Sequence, residues 1–133
     1  MEKPETGEGN KIMAVTQFQD LPLADRDGSW DGEAAEKRVR KWAGAEEKPN
    51  AKYRDAHVWY DNDAPENFES YKLPIADVIG GRLMAVPRAV MAAGAVMQGS
   101  RGGVDVPKKD IGQIKAHLAK YYAKMGDSPP WED

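Results

Sequence analysis

The sequence predicts a small α+β fold, a single domain with about three helices packed on a short strand and a β-hairpin. Three observations predict it. Apolar residues recur every three or four positions in three separate stretches, three short β-branched and aromatic runs lie between the first and second of these, and Gly80-Gly81 separates the last two runs. Helices flanking a minor sheet in this order describe one compact α+β unit.

Residues 1–20 hold Glu2, Pro4, Glu5, Gly7, Glu8 and Gly9 without an apolar period, which predicts a disordered leader ahead of a globular domain at 21–128. From Asp31 to Ala43 the positions Ala35, Val39 and Trp42 share one face of a helix, which places Trp42 in the core. Asp31 suits the N-cap, Glu33 and Glu36 the positive end, and Arg38, Arg40 and Lys41 the negative end. Trp30 is placed to staple back onto Ala35, and Gly44 to stop the helix. The stretch 45–52 has breakers and no period, so it reads as an exposed loop.

His57-Val-Trp-Tyr60 reads as a strand, and Asp61-Asn-Asp-Ala-Pro65 as the turn after it. Residues 71–78 and 82–86 read as a hairpin around Gly80-Gly81, with Pro74 forcing an edge position or a break. Pro87 fits a first helical position. The helix it opens, 87–98, carries Val90, Ala93 and Met97 on one face with Val86 just before it, widened by Met91 and Ala95, and Gly94 permits close approach of another element. Gly99-Ser-Arg-Gly-Gly103 ends that helix. A further helix follows Asp105-Val-Pro107, with Ile111, Ile114, Leu118, Tyr121 or Tyr122, and Met125 inward, until Gly126, Pro129 and Pro130 stop it. Residues 129–133 are left as an aromatic and acidic tail. Trp131, beyond two prolines, either folds back or is offered to a partner.

At 133 residues the chain closes one modest core and has no room for a catalytic domain beside a substrate domain. It contains no cysteine, which removes disulfides, thiol catalysis and thiolate metal sites. No run is apolar enough for a membrane span or a signal peptide. The net charge of −3 hides a division: residues 1–80 carry 11 basic and 17 acidic residues, whereas 81–125 carry 8 basic residues against Asp105 and Asp110. A segregated basic stretch of this kind is able to meet a polyanion locally, although lysines on solvated helix faces account for it more simply.

Chemistry-bearing patterns are sparse. The serines lack the strained Gly-x-Ser-x-Gly context of a nucleophile, and Ser100 reads as loop punctuation. Asp61-Asn-Asp63 with Glu66 offers oxygens for a hard cation but lacks the glycine and distal glutamate of a calcium loop, and Asx-turns explain it without metal. His57 and His117 alone are too few for a closed zinc site. Gln98–Gly103 reads as an anion nest or, more simply, as a left-handed turn between helices. Trp59 and Tyr60 are able to stack bases, but alternate strand positions are normally core. No catalytic residue, metal or cofactor is expected. The candidate partner-binding residues are Trp131, Arg88, Arg101, Lys108 and Lys109.

The series Tyr71-Lys-Leu-Pro-Ile-Ala-Asp, Val86-Pro-Arg-Ala-Val, Gln98-Gly-Ser-Arg-Gly-Gly-Val-Asp-Val-Pro107, His117-Leu-Ala-Lys-Tyr-Tyr and Pro129-Pro-Trp131 resembles a small accessory domain of tailed bacteriophages. That domain accompanies head-maturation (prohead) proteases and related morphogenesis proteins. With Leu21-Pro-Leu-Ala-Asp-Arg-Asp-Gly-Ser-Trp30, the likeness spans about residues 21–131. The protease half is missing. The resemblance therefore implies a non-enzymatic phage module that acts by protein contact in head assembly or maturation, with phage structural proteins as partners. It places the chain in the host cytoplasm during infection and in association with the virion. The alternative is a nucleic-acid-binding protein using 81–125, and a third reading is an enzyme built on the acidic turn 61–66.

Overall fold

The computed structural model describes residues 14–99 and 103–132. Among them the chain forms four helices and two small antiparallel sheets, the mixed architecture expected. Helix α1 is Gly32–Ala43. Asp31 caps it by accepting from Ala34 N, and Gly44 closes it at φ +68°, donating back to Arg40 and Lys41 carbonyls. The ring of Trp30 lies over Gly32. The buried positions are Ala35, Val39 and Ala43, spaced by four, so Trp42 stands at the margin half-buried with Lys52 Nζ 5.0 Å above its ring. Trp42 as a core residue is thus corrected. The helix turns about 100° per residue, and the face rotates to the small residue beside it.

The loop expected at 45–52 holds buried Ala45 and Pro49, then turns into the short helix α2, Ala51–Arg54. Asn50 caps α2 by accepting from Tyr53 N, and its amide donates to Ala43 O at 2.7 Å, joining α2 to the end of α1. Tyr53 is 1% exposed and donates its hydroxyl to Glu36.

Strand β1, His57–Tyr60, is buried at every position and pairs with β2, Tyr71–Pro74, with Trp59 opposite Lys72. Strands β3, Ala76–Ile79, and β4, Arg82–Ala85, form the hairpin around Gly80 and Gly81 at φ +62° and +79°, values that a two-residue primed turn requires. The run 71–78 is therefore two strands in two sheets. Pro74 offers no N–H to a ladder, Leu73 before it adopts φ +60°, and the chain kinks there. Arg38 of α1 holds the hairpin by a two-pronged contact with Asp77, at 2.8 and 2.7 Å.

Helix α3, Pro87–Met97, buries Pro87, Ala89, Val90, Ala93 and Gly94; Ala95 faces solvent, and Met91 and Met97 are half-buried. The face is narrower and turned relative to the one expected. Helix α4, Lys108–Lys124, buries Ile114, His117, Leu118 and both Tyr121 and Tyr122, with Ile111 and Met125 at its margins. One core lies between the sheets and α3 with α4, built on Val58, Trp59, Leu73, Ile75, Val90, Ile114, Leu118 and Tyr121. A second lies under α1 and α2, around Val39, Tyr53, Tyr60, Tyr71 and Leu83.

Both domain boundaries move outward. The sequence predicts a disordered leader to residue 20, but packing begins at least by Ala14: Tyr60 N donates to Ala14 O at 2.9 Å, Thr16 N to Val58 O at 2.8 Å, and Val15 faces Trp59. Leu23 then lies parallel to Ala85, so one segment makes an isolated bridge to each sheet in turn. Residues 1–13 lie outside the described part. At the other end Pro129 is buried and Trp131 folds back, its ring edge-on to Tyr122 at 5.9 Å, while Gln98 donates to Pro130 O.

Candidate functional site

An open cleft of about 860 Å³ lies beside β1, β2 and the start of α4. Trp59 and Lys72, directly opposed in the sheet, line it with Ala14; the turn at 61–63, Glu69 and Ser70 form one side, and Asp105 to Pro107, Lys109, Asp110 and Gln113 the other. The turn is fixed locally, since Asp61 Oδ1 accepts from Asp63 N at 3.0 Å and Asp61 N donates to Ser70 O at 2.9 Å. The far side is fixed by a long-range bond. Trp59 is 6% exposed, and its indole Nε1 donates to Asp110 Oδ2 at 2.9 Å, locking the first turn of α4 to β1. Aspartate in that first turn also suits the positive helix end.

The cleft gathers five carboxylates, Asp61, Asp63, Glu69, Asp105 and Asp110, against two ammonium groups, Lys72 and Lys109. Among the described residues none of Asp61, Asp63, Glu69 and Asp105 joins an ion pair. Such a surface favours a cation. No three His, Asp or Glu side chains among the described residues come together to hold a metal ion. Of the acidic turn singled out in the sequence, Asp61, Asn62 and Asp63 line the cleft and Glu66 does not.

The two imidazoles have structural positions. His57 is 3% exposed, with Nδ1 3.0 Å from Tyr53 O. Burial holds it down to about 4, against the opposing pull of the Tyr53 carbonyl and Glu36. His117, with Nδ1 2.9 Å from Thr16 O, is lowered by burial too, and it ties α4 to the extended segment that follows Ala14. Tyr53, pushed above its ordinary range by burial and by its bond to Glu36, stays a neutral donor.

Of the candidate partner-binding residues only Lys109 lines the cleft. Arg88 is exposed on α3, Lys108 is exposed at the start of α4, and Trp131 packs against Tyr122 with Lys115 Nζ 5.6 Å above its ring. Arg101 lies outside the described residues, as do Ser100 and Gly102 of the loop considered as an anion nest. The residues that build the cleft and were not singled out are Glu69, Ser70, Lys72, Asp105 and Asp110. The one local hint was the pair of acids, Asp105 and Asp110, standing alone in a basic stretch.

Among the described residues no helix is long and apolar enough to cross a membrane. Compared with family models, curated proteins and solved structures, the chain matches none.

Proposed function

We propose that the chain is a non-enzymatic phage module that works by protein contact in head assembly or maturation. The sequence resemblance supplies the setting. The observation that carries the contact reading is the cleft itself, a charged, rigidly floored recess whose polar groups stand ready for a partner while both imidazoles hold backbone carbonyls. A partner meeting it finds a preformed surface, because the floor is sheet and the wall is the first turn of a helix.

The rival reading needs a basic face made from residues 81–125. Four of these cations, all on α4, have separate neighbours. Lys124 donates to Asp20 and to Leu21 O, Lys120 lies over Phe18, Lys115 lies over Trp131, and Lys109 sits among carboxylates. Co-sedimentation with capsids, or pull-down of purified phage head proteins by the full chain, is expected to show binding. Failure to bind any head component, together with tight DNA binding that weakens steeply with salt, would overturn the proposal in favour of nucleic acid.

A further inference from the structure

Helix α3 turns a face to solvent that lacks the usual charge. Of its 11 residues only Arg88 is polar. Its buried side, Pro87, Ala89, Val90, Ala93 and Gly94, packs inward, while Arg88, Ala92 and Ala95 are exposed on the other side between half-buried Met91 and Val96. A surface helix normally gives water its charged residues, as α1 does with Glu33, Lys37 and Lys41.

Arg88 also stands at the wrong end of its own helix. It is the second residue of α3, where the positive end of the dipole disfavours a cation, and the last turn holds no basic residue to meet the negative end. Among the described residues Arg88 joins no ion pair. Two copies of α3 laid antiparallel correct both ends at once, because each Arg88 then meets the carbonyl end of the other helix. Gln98 Nε2 donates to Pro130 O at 3.1 Å, so the tail that carries exposed Glu132 leaves from that same end.

The spacing of the face fits this arrangement. Positions 88, 92, 95 and 99 follow at intervals of four, three and four, a series that reads the same from either end. A two-fold axis through the middle of α3 therefore sets Ala92 against Ala95, Met91 against Val96 and Arg88 against Gly99 of the other copy. Alanine facing alanine at the centre lets the two helices approach closely.

We propose that α3 is a self-association surface that packs antiparallel on the α3 of a second copy of this chain. This goes beyond the head-protein reading and does not depend on it. An 11-residue helix is about 16 Å long and covers far less than the roughly 800 Å² per partner of a stable interface, so the dimer is weak and reversible, with a Kd on the order of 100 μM.

The test is sedimentation equilibrium of the full chain at concentrations from about 20 μM to about 1 mM, with amide resonances followed over the same range. The expected mass rises from monomer toward dimer, and the resonance shifts concentrate at residues 88–99. Ala95→Glu sets two like charges beside the axis at an exposed position and is expected to weaken association at least about tenfold. Arg88→Glu is expected to weaken it by about threefold to tenfold. The chain has no cysteine, so an introduced thiol has no competitor. A mixture of Ala92→Cys and Ala95→Cys chains is expected to form a disulfide-linked dimer under mild oxidation. Arg88→Cys alone is not, since its two thiols stand about 16 Å apart along the axis. A chain that stays monomeric at about 1 mM, association unaltered by Ala95→Glu, or Arg88→Cys cross-linking as fast as the mixture would overturn the proposal. The wild-type mass needs no variant to fold.

Discussion

Gly94→Ala tests how α3 and α4 are held together, because two opposing effects of known size meet at one atom. In an exposed helix interior this change stabilises by about 1 kcal/mol, since alanine loses less backbone entropy. At Gly94 the new Cβ would fall inside the van der Waals envelope of Tyr122 Oη, and would lie 3.2 Å from Cζ and 3.3 Å from Cε2. Tyr122 is 5% exposed, with the edge-on ring of Trp131 against it, so its hydroxyl has little space to swing aside. Inserting a methyl into such a contact costs about 1–3 kcal/mol on its own. The steric term wins, and the net expectation is a loss of about 1 kcal/mol.

The companion change Gly112→Ala has the same propensity gain with nothing within 4 Å of the new Cβ, so it should stabilise by about 0.5–1 kcal/mol. Tyr122→Phe removes the offending oxygen. The double variant Gly94→Ala with Tyr122→Phe should therefore recover at least half of the loss, a coupling of about 1 kcal/mol. Urea unfolding followed by circular dichroism measures all four. A Gly94→Ala protein as stable as wild type, or one that Tyr122→Phe does not rescue, would refute the close approach of α3 and α4.

Three further outcomes are expected. His57 binds its proton near pH 4 in the folded state and at its ordinary 6.5 when unfolded, so the unfolded chain takes up the extra proton between these values. Stability should fall by about 3 kcal/mol as pH drops from 6.5 to 4, with His117 adding in the same direction. Urea midpoints across that range check it, and His57→Gln with an undiminished slope would contradict it. Trp42→Ala should cost only about 1–2 kcal/mol, well short of the 3–5 kcal/mol of a buried aromatic, because the ring is half-buried; a larger loss in the same titration would place it in the core. Asp110→Ala should cost about 1–3 kcal/mol and move the Trp59 indole proton resonance, with Asp110→Asn intermediate because it keeps an acceptor. An unmoved resonance would show that the bond does not form.

What was legible in the sequence was what neighbouring residues decide. Helix α1, its Asp31 cap, the Gly80-Gly81 hairpin and α4 all follow from patterns within a few residues. The losses have local causes as well. Trp42 and Ala43 lie 100° apart, so the apolar period alone does not choose which faces inward. Helix α2 is four residues long, too short for a period, and is held by the Asn50 cap and the burial of Tyr53. The segment 14–24 joins two sheets through contacts of one or two residues each, separated by Asp20 at φ +48°, and no alternation survives such an interruption.

The cleft was illegible for a different reason, and it changes what the charge division along the chain means. Residues 81–125 hold two acids, and both of them, Asp105 and Asp110, line the same recess as Asp61, Asp63 and Glu69 from the acidic half. The bond from Trp59 to Asp110 spans 51 residues and brings them there. Meanwhile the lysines of α4 are carried around the axis by 100° per residue, so that Lys115 and Lys120 end over different aromatic rings and Lys124 pairs with Asp20. A stretch that is basic in sequence thus contributes both its acids to one recess and sends Lys115, Lys120 and Lys124 to three different neighbours. Interaction with a polyanion depends on potential summed over a surface, so the division of charge along the chain does not by itself predict one.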